Sequence, residues 1–283
     1  MTEQTKNRAP KKAQNNRQQP NNKMALAAPA VSRGAAIRAQ KRNAEMANKL
    51  ANEYQDATAT KLDVRANLID NSPRLKFIGL GGMDGGGSKN MVLLEYMNDA
   101  IVMDCGNDLG IDLPGINYGI ADITYLESIK HKVKAYVITH GHLDHIGGLP
   151  HILPKVPAPV YGSKFTIGRV EEIFANFGLP MPDGFELNTV MMNENTHERL
   201  KIGVFFVELV RVTHSIPGSA IIVVDTPVGR VINTGDFRLD PNPLDHERTD
   251  TDRLKELGKE GVLVLLSEST TTERPGRTPS EST

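Results

Sequence analysis

The chain has 283 residues, enough for one or two domains with a sizeable core, and its 39% apolar and 24% charged residues are ordinary for a globular protein. Its net charge of −1 hides a split: residues 1–50 carry eleven Lys/Arg against two Asp/Glu, and the remainder holds 22 against 32, so a basic tail precedes an acidic body and suits a polyanionic partner. The single cysteine, Cys105, excludes an intrachain disulfide and a thiolate zinc cage and suggests a reducing, cytoplasmic compartment, while no apolar run approaches eighteen residues, so no membrane span is expected.

Residues 1–30 are rich in Gln, Asn, Lys, Arg, Pro and Ala and have no aromatic residue, the composition of a segment that does not fold alone. Residues 24–31 are apolar but short and followed by charge, unlike a secretion signal. An Ala-rich stretch, 34–60, suits a polar helix with little apolar face. We therefore expect a basic low-complexity tail over 1–72, disordered or partly helical, and a globular region over 73–283.

From residue 75 the pattern turns to short apolar runs. Strands are expected over 75–80, 91–96 and 100–103, with a glycine-rich turn over 81–88. A short helix follows over 122–131, a buried strand over 133–138, a helix over 145–153 and a short strand over 159–161. Residues 163–177 form an amphipathic helix capped by Ser163. Strands are then expected over 186–192, 203–212, 219–225, 229–233 and 261–266, interrupted by a helix over 249–258. Such an order suits a layered α/β sandwich.

The buried strand 133–138 runs into Thr139-His140-Gly141-His142-Leu143-Asp144-His145. Three imidazoles and a carboxylate fall within six residues, and zinc accepts both donor types. On extended backbone His140 and His142 project to one side and can grip one ion. Once the chain turns helical, Asp144 and His145 aim at a neighbouring position. Gly141 permits close approach, and Gly147-Gly148 lets the following backbone pack tightly. A metal pair needs further ligands, and His214 and Asp236 each follow an apolar strand. His131, His151, His197 and His246 lie in polar or helical settings and read as solvated. Asp104 closes the strand 100–103, either as an orienter of a metal-binding histidine or as an ordinary turn residue. The glycine-rich turn lacks the Lys-Ser/Thr ending of a nucleotide loop and reads as a tight turn beside the metal centre.

The run His140-x-His142-x-Asp144-His145 resembles the signature of the metallo-β-lactamase superfamily, whose members hydrolyse lactams, thioesters and phosphodiesters. Five further stretches narrow the resemblance to ribonuclease J: residues 139–150 (THGHLDHIGGLP), 160–166 (VYGSKFT), 213–218 (THSIPG), 233–240 (NTGDFRLD) and 266–276 (LSESTTTERPG). Residues 110–125 join them more loosely. The likeness implies an αββα sandwich with two zinc ions at one edge. Manganese is the other cation that such donors suit. His140, His142 and His214 would hold the first ion, Asp144 and His145 the second, with Asp236 bridging. Asp144 and Asp236 would carry the catalytic work, Asp144 by orienting or deprotonating the attacking water. The implied reaction is RNA hydrolysis, 5′ to 3′ and internal, by a protein that assembles as a homo-oligomer when full length. Two positions depart from the family pattern: Glu268 stands where Asp is usual, and Thr271 where Asn is usual.

The resemblance also implies that the sandwich is incomplete here. The family's inserted β-CASP domain, its late zinc-binding histidine and its C-terminal part are expected beyond Thr283. A chain without them is expected to hold fewer than two ions and to show low activity. The rival readings are a glyoxalase-like thioester hydrolase, which shares the His/Asp motif, and an inactive fragment that binds zinc or RNA.

Overall fold

The computed structural model describes residues 73–83, 87–110, 114, 119–182, 185–192 and 197–283. The tail over 1–72 and its expected helix lie outside them. Residues Ser72–Thr283 form one compact unit.

The first strands, β1 (Leu75–Gly81), β2 (Met91–Tyr96) and β3 (Asp99–Met103), form an antiparallel meander. β4 (Asn107–Asp108) and β5 (Gly119–Ile120) pair as a small ribbon, and α1 (Thr124–Ser128) with a single 3-10 turn leads to β6 (Val133–Val137). Two one-turn helices follow, α2 (Leu143–Ile146) and α3 (Leu149–Ile152). They replace the continuous helix expected over 145–153. Pro150 has no N–H to give the Ile146 carbonyl, so the first helix ends and a second begins. Then come β7 (Val160–Gly162), α4 (Lys164–Phe177) and β8 (Leu187–Thr189).

The second half contains β9 (Arg199–Ile202), β10 (Phe205–Arg211), β11 (Ala220–Thr226), β12 (Gly229–Asn233), α5 (Thr251–Glu260) and β13 (Val264–Leu266). β9 has no counterpart among the expected strands. Its sequence, RLKI, is short and half charged because it lies at a sheet edge. Gly203, at φ 58°, turns it into β10. The strand expected over 261–266 begins only at Val264, because Gly261 closes α5 at φ 102°.

The strands form two large sheets, ordered β1-β2-β3-β6-β7-β8 and β13-β12-β11-β10-β9. Alternation along the strands explains the layers. Val92, Leu94, Ile101, Met103, Ala135 and Val137 of the first sheet pack with Val207, Leu209, Ile222, Val224 and Val231 of the second. The opposite faces of β2, β3 and β6 give Met91, Leu93, Val102 and Tyr136 to the α1–α4 side, where they meet Leu126, Ile146, Leu149, Ile167, Val170 and Phe174. Val210, Ile221, Val223 and Ile232 turn outward onto Leu257 of α5. The result is an αββα sandwich. Strands apolar on both faces, such as β2 and β11, are those covered on both sides.

Local signals set the helix ends. Ser163 Oγ accepts the Thr166 N–H at 3.3 Å to cap α4, and Gly178, at φ 62°, closes it. Asp250 caps α5 through the Arg253 N–H at 3.0 Å.

Candidate metal centre

Five strands deliver their C-terminal ends to one edge of the sandwich. β3 and β6 run parallel, as do β12 and β13, and β10 shares their sense because it is antiparallel to β11, itself antiparallel to β12. Asp104 follows β3, Thr139 to His145 follow β6, His214 follows β10, Asp236 follows β12 and Glu268 follows β13. Thr139 ties the sheets together there, its carbonyl accepting the Ala220 N–H at 2.9 Å.

All six residues singled out in the sequence as metal ligands meet at this edge. One atom each from His140, His142, His214 and Asp236 forms one group, and Asp144, His145 and Asp236 form another, with the atoms of each group within 4.8 Å of one another. Asp236 belongs to both. His140 Nε2 lies 3.0 Å from His142 Nδ1, and His214 Nε2 lies 3.2 Å from the same nitrogen. His145 Nε2 lies 3.4 Å from both Asp144 Oδ2 and Asp236 Oδ1, and His214 Nε2 lies 3.7 Å from Asp236 Oδ2. Ligands about 2.1 Å from a tetrahedral zinc are about 3.4 Å apart, so this donor set has the spacing of a coordination shell.

The local electrostatics keep the imidazoles ready as donors. Burial, helped by neighbouring His145 and His214, lowers the His140 pKa to about 2. Burial also lowers those of His142 and His214, against the pull of nearby carboxylates. His145 behaves oppositely. Burial resists its charge, but Asp104, Asp144 and Asp236 outweigh that and raise its pKa. Asp236 is held down to about 2; burial opposes ionisation, and the surrounding imidazoles more than offset it.

Asp104 has the orienting role, not that of a turn residue at the surface. It is buried, in the left-handed region at φ 59°, and its carboxylate lies 2.8 Å from His145 Nδ1. It also accepts the Thr139 N–H at 2.8 Å and the Thr139 hydroxyl at 3.0 Å. With Nδ1 engaged, His145 presents Nε2 to the centre. Asn90, which no sequence motif marks, sits opposite. Its side-chain amide donates to Asp144 Oδ2 at 3.3 Å and lies 3.1 Å from His145 Nε2. Nothing in the linear context distinguishes this Asn from a loop residue.

Gly81, Gly82 and Asn90 line a pocket together with Asp104, His145, Asp236 and Glu268, which puts the described part of the glycine-rich turn beside the centre. Gly106 is where backbone approaches most closely: a Cβ there would overlap the Asp144 carbonyl. Two of the four histidines read as solvated have partners. His151 packs edge-on against Phe177 with ring centroids 5.3 Å apart, and His197 Nδ1 lies 3.6 Å from Glu208. Helix α3 turns His151 onto α4, and His197 faces a carboxylate buried under α5, contacts that cross elements distant in sequence. His131 and His246 are exposed.

Comparison with known proteins agrees with this geometry. Residues 84–258 match the model of the metallo-beta-lactamase superfamily. The chain is 39% identical to ribonuclease J of Thermus thermophilus over 73% of its own length and 36% of that protein. It is 38% identical to ribonuclease J of Synechocystis, covering 73% of this chain and 32% of the relative. For ribonuclease J of Helicobacter pylori the identity is 35%, over 76% and 30%. The chain thus spans about a third of the length of these relatives.

Proposed function

Because this chain belongs to the metallo-β-lactamase superfamily, we propose that its His/Asp centre holds two zinc ions and serves a ribonuclease that hydrolyses RNA phosphodiesters. The observation that carries the reading is the shared position of Asp236 between two ligand groups built from the same short turn. His140, His142 and His214 would hold one cation, Asp144 and His145 the other, and Asp236 both; because the second group has three donors, Asp236 included, we propose two ions here in place of the fewer than two expected from the sequence. A bound cation pair supplies Lewis acidity and makes water acidic near neutral pH.

The chain's own residues supply the rest. Burial lowers the basicity of three of the imidazoles and so favours the neutral form, the one that can give a lone pair to a cation. Asp104 fixes the ring of His145. Asn90 holds Asp144 through Oδ2, and the Asp144 carboxylate would orient a water or take its proton. A groove beside the centre is lined by Asn90, Asp236, the Ser/Thr residues 269–272 and Arg274, together with Glu268 and Glu273, and Arg274 is the cation there that a phosphodiester would meet. Choosing RNA over a thioester rests on the similarity to ribonuclease J, since the His/Asp motif alone serves both.

The test offers the zinc-loaded protein a 5′-monophosphorylated RNA and, separately, a thioester, with metal content measured on the same sample and manganese tried in place of zinc. The expected result is RNA cleavage at a low rate, in a chain that spans about a third of its relatives' length, and its loss in His142→Ala. Thioester cleavage without RNA cleavage would make the protein a thioesterase. Zinc binding without either activity would make it a binding module.

A further inference from the structure

Glu268 stands where the ribonuclease J pattern has Asp, two residues after β13. Its carboxylate is committed on both oxygens. Oε1 accepts the Phe237 N–H at 2.8 Å, and Oε2 accepts the Thr270 N–H at 3.2 Å. Its own N–H donates to Thr234 Oγ1 at 3.4 Å, and the Thr234 N–H donates to the Leu266 carbonyl at 2.9 Å. These bonds clasp residues 234–237 to the end of β13. On the other side of the same loop Gly235 sits at φ 55°, so close to Thr139 that a Cβ would come within 2.8 Å of the threonine Cβ. Asp236 is therefore gripped between Thr139 and Glu268.

Glu268 belongs to neither ligand group, yet it lines the pocket with Asp236 and His145. Asp236 is 31% exposed in its side chain and follows a glycine, so its own packing does not fix it. We propose that Glu268 is a positioning residue. Through the Phe237 N–H it sets where the Asp236 carboxylate stands, and so whether one carboxylate can serve both cation pockets. The inference rests on the two-cation reading. It assigns to Glu268 the affinity for the second cation, with no contact between Glu268 and either ion.

The test titrates zinc into metal-depleted protein by calorimetry and follows cobalt substitution by its visible spectrum, beside the thermal midpoint of the metal-depleted form. Glu268→Ala is expected to weaken the second cation about 10- to 100-fold, the scale of lost hydrogen bonds behind a metal ligand, with an unchanged metal-depleted midpoint and an altered cobalt spectrum. Glu268→Gln keeps an oxygen for the Phe237 N–H and should recover most of the affinity. Should the alanine variant not fold, Glu268→Leu, of similar volume and without an acceptor, takes its place. Wild-type affinity in the Ala or Leu variant overturns the assignment. So does a Gln variant as weak as Ala with an equally lowered midpoint, which would make Glu268 merely structural. Failure of the wild-type protein to take up a second cation would instead sink the two-cation reading.

Discussion

Asp104 shows how a single side chain can serve the centre without touching it. It spends a left-handed backbone conformation, uncommon for a residue with a side chain, to bring one carboxylate against Thr139 and His145. Removing that carboxylate frees the His145 ring to turn and leaves the buried Thr139 N–H without an acceptor. Asp104→Ala is expected to lower zinc affinity by about 10- to 100-fold; calorimetric titration checks this, and an unchanged binding curve would contradict it. The sequence placed Asp104 at a strand end and left two roles open. The choice depended on His145, 41 positions away.

At the scale of elements, two buried carboxylates join layers. Glu208 on β10 is buried, and the Arg253 guanidinium of α5 grips it with bonds of 2.8 and 2.9 Å. Arg253→Met would take the guanidinium from the buried Glu208, and should cost about 3 kcal/mol in urea unfolding. Adding Glu208→Leu should restore most of that loss; a double variant as weak as the single would refute the explanation.

Glu95 on β2 is the second such carboxylate. It is held by Lys132 at 2.6 Å, Tyr125 Oη at 2.5 Å and Lys76 at 3.2 Å. Burial pushes its pKa up, but hydrogen bonds from Lys132, Tyr125 and Lys76 outweigh this and leave it below the ordinary 4.5. A depressed folded-state pKa stabilises the protein above the unfolded value, and that contribution is lost as pH falls through the folded one. Glu95→Gln should therefore be less stable than wild type at neutral pH, by about 2 kcal/mol. The gap should close as the pH drops below 4.5. Parallel unfolding midpoints across that range, with a constant gap, would show that charge is not the cause. Neither network was legible in the sequence, because Glu95 and Glu208 look like polar interruptions of apolar strands until helices are laid over them.

The whole molecule pairs an acidic body with a basic tail. If the tail adds affinity for a polyanion, deleting residues 1–60 should weaken RNA binding at low salt and flatten its salt dependence, as fewer counterions are released. Equal affinity and slope with and without the tail would remove it from recognition. Because Ser72–Thr283 is a compact unit with its own core, the same deletion should leave the thermal midpoint unchanged.

Taken alone, the sequence determined most of the strands, the α4 cap at Ser163, the His/Asp turn and the two distant ligand candidates. Each is a local matter: alternation, a capping side chain, or donors crowded at the end of one strand. Only the tertiary structure decided what lay between those pieces. The role of Asp104, the place of Asn90 and the clasp of Glu268 on the Asp236 loop all depend on chain segments brought together from far apart in the sequence. Periodicity reports which face of an element is buried. It carries no record of which other strand end that face will meet.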